Sequence, residues 1–493
     1  MDDIAPPAHL PGRPGISRRR FMAGLACAAS AALGTTGLVL PAGRAAAATR
    51  LPIPEMLVPT RRNGAWVFPL RAAFGTHELL PGVRSSSAGF NGSYLGPTLR
   101  VRNGQKVRFE VTNDLDEDLA VHWHGAHVPP EADGGVHSAF APGETWSPEF
   151  TVKQEAATLW YHPHTMDRTA RQISWGLAGL LIVDDASAGS AALPGAYGTD
   201  DVPVILQSVA VGDDGGIRYD ADGFADRDVS FPFVVNGAPL DGAPLDFTAT
   251  RGRVRLRLLN ACLAEELVVT RTDGRPLVQV ATESALLPGP LSTGAVRLPA
   301  GCRAEVVVDV DRSVTLRAAV RTRVGRRRDG SHDFLRLLPA RGAPRPRALP
   351  SRLNTIRRFD TSRLRPRRIA LTENGGLLGI DGVSGTTMEA MDRATITVRK
   401  DVLELWEVVN RSPRDHSFHI HDVPFQLVSV GGRKPRGAEL GWRDTVAVPQ
   451  GSSIRIAVRF TDFASEKYTY MLHCHMAQHE DLGMMTSLKV KAR

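Results

Sequence analysis

Asn103-Gly104-Gln105-Lys106-Val107-Arg108-Phe109-Glu110-Val111-Thr112-Asn113 opens on a turn and then alternates polar and apolar side chains until it stops at an asparagine. Period two is the signature of a half-buried strand. The phrase returns as Arg251-Gly252-Arg253-Val254-Arg255-Leu256-Arg257-Leu258-Leu259-Asn260 and as Asp401-Val402-Leu403-Glu404-Leu405-Trp406-Glu407-Val408-Val409-Asn410, with asparagine-to-asparagine spacings of 147 and 150 residues. Each copy later meets a turn (Pro142-Gly143, Pro299-Ala300-Gly301, Pro449-Gln450-Gly451) and another alternating run. From asparagine to turn glycine the second and third copies both span 41 residues and the first spans 30. Short strands broken by Gly and Pro, repeated at this period, predict an all-β chain of three consecutive β-sandwiches. Boundaries are expected near residue 186 and in the Pro/Arg-rich stretch 341–368, which reads as a linker. That gives 1–48, 49–185, 186–340, 341–368 and 369–493.

The 493-residue length agrees with several domains, and 42% hydrophobic residues suffice for sizeable cores. Residues 17–22, Ser-Arg-Arg-Arg-Phe-Met, read as a twin-arginine export signature, followed by a weakly apolar stretch to Leu40 and the run Ala45–Ala48. The expectation is a cleaved signal over 1–48, use of the twin-arginine export machinery, and a monomer in the periplasm or outside the cell. The chain carries +8, and without residues 1–48 it keeps 55 basic against 50 acidic residues, or +5. This modest excess is spread out, and no nucleic-acid motif accompanies it. Beyond Cys27 in the leader and Cys474, Cys262 and Cys302 either form a disulfide or remain buried thiols.

Ten of the fifteen histidines fall in four clusters. These are His122-Trp123-His124-Gly125, Trp160-Tyr161-His162-Pro163-His164, His416-Ser417-Phe418-His419-Ile420-His421, and His473-Cys474-His475 with His479 and Met484 behind it. On an extended backbone Cys474 points to one face and both neighbouring imidazoles to the other, so the sulfur and the rings can serve different metal sites. Cys, two His and a weak Met is the ligand set of a blue-copper centre. One such site uses two histidines and leaves eight imidazoles for a second, larger one. The middle third, whose one histidine outside the leader is His332, contributes no cluster, so a scaffolding role is expected there.

These motifs, in this order, resemble those of the multicopper oxidases, the family of laccases, bilirubin oxidase and cuprous oxidases. The similarity runs from about residue 50 to 493 and includes Gly441-Trp442-Arg443-Asp444-Thr445. It implies three cupredoxin-like Greek-key sandwiches and four copper ions. By the family pattern His416, Cys474 and His479 hold the type 1 copper with Met484 axial. His122 and His419 hold type 2, and His124, His162, His164, His421, His473 and His475 hold the type 3 pair. Methionine at 484 implies a low or middling potential. Glu480 and Asp133 stand where the family carries acids and are expected to deliver protons, while His416 and Cys474 carry electrons inward. Dioxygen is the implied acceptor and a small aromatic reductant the implied donor.

Electron uptake is expected at an exposed edge of His416, which imposes little shape selection. Cu(I) is the alternative donor. Against it, Arg411-Ser412-Pro413-Arg414-Asp415 lacks the acid and Met residues of cuprous oxidases, only Met388 and Met391 could substitute, and Arg414 would repel the cation. A copper-free envelope or cell-division protein of the same fold is the non-enzymatic alternative, opposed by the full ligand set. A blue-copper electron carrier would leave eight imidazoles unexplained, and a nitrite reductase would need two-domain chains. His127 and His137 read as loop or surface residues, Trp160, Phe418 and Trp442 as packing around the copper sites, and Asp444 as an anchor for its own loop.

Overall fold

The computed structural model describes residues 49–219, 229–321 and 329–493. The expected export leader lies outside them. Strand makes up 49% of the structure and helix 7%, so the fold is all-β as the alternation requires. Three sandwiches follow one another along the chain. The first packs a six-stranded sheet, centred on Ala65–Leu80 and Lys106–Asp114, on a four-stranded sheet of Leu99–Arg102, Gly179–Asp184, Ala157–Pro163 and Val121–His124. The second has a seven-stranded sheet running through Asp201–Ser208 and Arg253–Asn260 and a five-stranded sheet of Leu245–Ala249, Gly330–Pro339, Val314–Arg321, Glu266–Arg271 and Val296–Leu298. The third is two five-stranded sheets, one holding Leu403–Asn410 and the other His416–Ile420, Tyr470–Cys474 and Met485–Lys491. Each has its own core, around Phe109 and Trp123, around Leu256 and Phe334, and around Trp406 and Phe418.

The repeated asparagine has a physical reason. Asn113, Asn260 and Asn410 are all buried at strand ends. Their Nδ2 groups donate to the carbonyls of Glu117 and Phe140, of Glu265 and Leu298, and of Arg414 and Val448, at 2.6–3.2 Å. Their Oδ1 atoms accept from the backbone N–H two residues on, at Leu115, Cys262 and Ser412. One amide thus closes its own turn and ties it to the carbonyl preceding the Pro/Gly turn of the returning strand. A buried amide with every bond made specifies this connection strongly.

Buried polar contacts join the sandwiches. Arg257 forks onto Asp201 at 2.6 and 3.0 Å and reaches Glu305 at 2.9 Å, while Glu305 also accepts the hydroxyl of Thr158 from the first sandwich at 2.6 Å. Residues 340–365 carry no strand and run over the second and third sandwiches, with Leu353 N–H donating to Pro288 and Phe359 N–H to Gln426. No bridge joins Cys262 and Cys302, and both are buried. No helix among the described residues is long and apolar enough to cross a membrane.

His127 lies in a loop, one of its two expected places, but not at the surface. It is buried and links the first sandwich to the third, with Nδ1 2.6 Å from Asp422 Oδ1 and Nε2 3.1 Å from Asp462 Oδ2. Lys153 flanks Asp462 at 2.9 Å. Burial disfavours the imidazolium, but the two carboxylates outweigh it and hold the His127 pKa above its ordinary 6.5. The folded state therefore binds this proton more tightly than the unfolded chain. The clamp is at full strength below the ordinary value and weakens as pH rises through the raised one. His127→Gln should lower the melting temperature most near about pH 6, with the gap to the native chain narrowing in alkaline buffer. A gap that widens with pH would contradict the clamp.

Candidate metal centre

The histidine motifs lie on paired strands. Val121–His124 pairs with Ala157–Pro163, placing His122 opposite His162, and His416–Ile420 pairs with Tyr470–Cys474, placing His419 opposite His473. Alternation turns His122 and His124 outward while Trp123 enters the first core. The two ladders meet ring to ring: His122 stacks on His421 at 3.7 Å and His124 on His419 at 3.8 Å. Three sets arise in which ligand atoms lie within 4.8 Å of one another: His124, His162 and His475; His164, His421 and His473; and His122 and His419 together with His124. All eight rings are buried. Trp160 stacks on His162 at 4.1 Å.

The outward nitrogen of most rings is already engaged. Nδ1 of His122, His162 and His419 donates to the carbonyls of Asp133, Pro163 and Asp444 at 2.8–2.9 Å. His421 Nδ1 lies 2.7 Å from Asp133 Oδ2, and His473 Nδ1 donates to the Cys474 carbonyl at 3.1 Å with Glu480 Oε2 3.0 Å away. His124 is reversed, with Nε2 3.0 Å from Asp444 Oδ1. What remains faces inward. His122, His162 and His419 Nε2, and His124 Nδ1, are buried without a hydrogen-bond partner. His164 Nε2 and His421 Nε2 each stand 3.3 Å from His473 Nε2. Lone pairs left unmatched in a dry interior cost about 1–3 kcal/mol each. Their convergence, with six of the eight rings held by a partner from behind, is the donor set a soft-to-borderline metal requires. Burial first, and mutual repulsion second, lowers the pKa of His122, His124, His419, His421 and His475 well below the ordinary value, and burial brings His162 to about 3 and His164 to about 4. These rings are neutral, as metal ligands must be.

A second site lies within the third core. Cys474 Sγ is 3.4 Å from His416 Nδ1 and 3.7 Å from His479 Nδ1, and the two nitrogens are 3.1 Å apart. Met484 is fully buried; its N–H donates to His479 and its carbonyl accepts from Cys474. Burial pushes the Cys474 thiol up to about 12, so a cation must supply the charge that makes it a thiolate. His416 is only 2% exposed, a correction to the expected open edge. Its Nε2 is 2.5 Å from Ser412 Oγ, on the turn that Asn410 closes. Arg414 is also less available than expected, because Glu373 pairs with it at 3.0 Å.

Asp133 and Glu480 each touch one imidazole from each outer sandwich. Asp133 lies 3.5 Å from His122 and 2.7 Å from His421; Glu480 lies 3.3 Å from His164 and 3.0 Å from His473, and accepts the Thr169 hydroxyl at 2.7 Å. Asp481, singled out by no motif, accepts the Thr169 and Ala170 N–H groups at the start of helix Thr169–Trp175.

Asp444 reaches far beyond its own loop. Besides His124 it takes a two-pronged ion pair from Arg303 of the middle sandwich at 2.8 and 2.6 Å, and the Ser284 hydroxyl at 3.0 Å. This explains the glycine in His-x-His-Gly: Gly125 has φ +82°, and a Cβ there would lie 2.5 Å from the Arg303 guanidinium. Arg303 carried no sequence signal, being one arginine among many in alternating strands. Trp442 lies edge-on to Phe359, and Phe418 packs in the third core beside Cys474. Arg303→Met should strand the buried Asp444 charge and cost about 3–5 kcal/mol, with less metal retained per chain. Thermal melting and elemental analysis measure both, and an unchanged melt would refute the role of the pair.

The multicopper oxidase family pattern matches residues 72–188 and 356–493. The chain is 31% identical over 442 residues to the multicopper oxidase mco of Staphylococcus aureus, covering 89% of this chain and 91% of that one. It is also 31% identical over 488 residues to the cell division protein FtsP of Escherichia coli strain K12, covering 96% and 99%. Among solved structures, a laccase-like multi-copper oxidase CueO from the lignin-degrading bacterium Ochrobactrum sp. superposes with a TM-score of 0.79 at 30% identity, over 89% of this chain and 100% of that one. A multi-copper oxidase from Pediococcus acidilactici gives 0.79 at 29%, over 90% and 92%. With the family pattern on both outer sandwiches and whole-length likeness on either side, this chain belongs to the multicopper oxidase family.

Proposed function

We propose that the protein is a laccase-like oxidase that takes single electrons from phenolic and other aromatic donors and reduces dioxygen to water with four coppers. His416, Cys474, His479 and Met484 hold one, His122 and His419 a second, and His124, His162, His164, His421, His473 and His475 a pair. The observation that carries this reading is the position of the two neighbours of Cys474. His473 sits in one histidine triad and His475 in the other, so one peptide bond on each side joins the sulfur to both. Bound copper supplies one-electron redox change at the thiolate site and dioxygen reduction at the imidazole site. Ser412 orients His416, and Asp133 and Glu480 hold protons at the ring nitrogens they touch, inside a volume closed to bulk water. The reading includes export by the twin-arginine machinery and action as a monomer in the periplasm or medium.

His416 lies at the floor of a notch of about 30 Å³, between Ala264, Glu266, Pro299 and Ala300 of the middle sandwich and Ala447 and Met476 of the last. So small a notch admits the edge of a donor and not the whole molecule, which suits outer-sphere uptake from varied aromatics. Two carboxylates, Glu266 and Asp415, border it, and the pairing of Arg414 with Glu373 removes the repulsion argued against a cation. Cu(I) oxidation is therefore the second reading.

Oxygen uptake by copper-loaded protein, measured in parallel with a phenol, bilirubin and Cu(I), separates the readings. The phenol is expected to turn over. Preference for Cu(I) would promote the second reading, and no uptake with any donor would leave the alternative of a copper-free envelope or cell-division protein of the same fold. Glu480→Gln should keep the blue absorption but slow turnover roughly a hundredfold. Unchanged turnover would remove Glu480 from proton delivery.

A further inference from the structure

Four of the eight methionines beyond residue 48 gather at one place. Met391, Met471 and Met485 are buried together with Val136, and Met166 packs on them partly buried. Strand pairing sets Met485 opposite His473 and Met471 opposite Ser487. Alternation therefore puts both thioethers on the sheet face that carries His473. The Met471 carbonyl accepts the His421 N–H at 3.0 Å, and Met166 follows His164 by two residues. Met471 and Met485 thus share the sheet face of His473, one member of the His164, His421 and His473 triad. A Cβ on Gly135 would lie 3.0 Å from Met471 Sδ and 3.4 Å from Asp133 Oδ2, so the sulfur and the carboxylate face each other across a bare backbone.

The cluster continues outward. Met391 lies on helix Met388–Arg393, three residues from Met388, which is 37% exposed. Residues at i and i+3 neighbour each other on a helix. His137, exposed on the turn Val136–Ser138, places Nε2 3.2 Å from Ser487 Oγ. Methionine is a ready filler of irregular cores, and packing alone would account for one or two of these side chains. It gives no reason for four methionines to collect on the side of His473 while a fifth, Met388, stands exposed on the helix of Met391. The proposed ligands are otherwise enclosed, so copper must pass through protein to reach them. Thioethers are the side chains that select Cu(I).

We propose that Met166, Met391, Met471 and Met485, with His137 at the outer edge, form a Cu(I)-binding site through which copper enters the His164, His421 and His473 triad. This rests on the copper reading of the interior but not on the identity of the electron donor. The test titrates the copper-loaded, reduced, full-length protein with Cu(I) against a Cu(I) chelator, and with Ag(I) as a redox-inert probe. X-ray absorption then reads the sulfur shell. One further sulfur-ligated ion per chain is expected. Met391→Leu and, separately, the milder Met166→Leu should weaken its binding roughly tenfold or more, an effect of about 1.4 kcal/mol. Both should leave the blue absorption and the melting temperature nearly unchanged, since Met and Leu are close in volume. Stripped Met391→Leu protein should also take up Cu(I) at its interior sites several-fold more slowly. A copper-loaded interior with no sulfur-ligated Cu(I) or Ag(I), or leucine variants that bind and load like the native chain, would overturn the site. Silver held by the methionines of a protein whose interior takes no copper would defeat the entry role and the copper reading together.

Discussion

Eight imidazoles share one buried volume between the outer sandwiches, and they can do so only while the rings are neutral, with the outward nitrogen of six of them held by a partner. Charged rings at these separations would repel one another in a medium with little screening, and burial already opposes their protonation. Neutral rings impose a different demand. Each must present its lone pair inward, so its N–H has to be satisfied on the other side. Backbone carbonyls meet that demand for His122, His162, His419 and His473, and carboxylates meet it for His124 and His421. Three acids, Asp133, Asp444 and Glu480, stand within 3.0 Å of these rings, the first two as hydrogen-bond acceptors.

Each of those acids also spans sandwiches. Asp133 and Glu480 tie the first to the third, while Asp444, on the third, touches His124 on the first and Arg303 on the second. Orienting the rings and docking the domains are the same set of contacts. The middle sandwich carries none of the histidine clusters, yet its Arg303 keeps the charge of Asp444 compensated where water cannot. It scaffolds the site through that guanidinium and the Ser284 hydroxyl, which both hold Asp444. Buried ion pairs contribute modestly to net stability, but losing one partner is expensive, which suits a contact whose task is to specify one arrangement.

Much of this was legible in the chain. The period-two runs and their terminal asparagines marked three sandwiches, because strand alternation and an asparagine-closed turn are local properties of the backbone. The spacing of His473, Cys474, His475, His479 and Met484 named candidate donors for the same reason: neighbours on a strand point to alternate faces wherever the strand is placed. His127, Arg303 and Asp481 carried no such mark. A buried clamp, a stray arginine and a surface acid look alike until the residue across the interface is known.

The sequence by itself determined which side chains could donate and how many sandwiches would carry them. Only the tertiary structure decided which imidazole shares a site with which, and which nitrogen of each ring faces inward. It also decided that His416 lies beneath the surface and that a middle-domain arginine closes the set. The contact between His124 and Asp444 joins residues 320 positions apart. Local rules set the direction of a side chain from its own strand, but a partner at that distance is chosen by how whole sheets pack and by which buried charges can be compensated when they do.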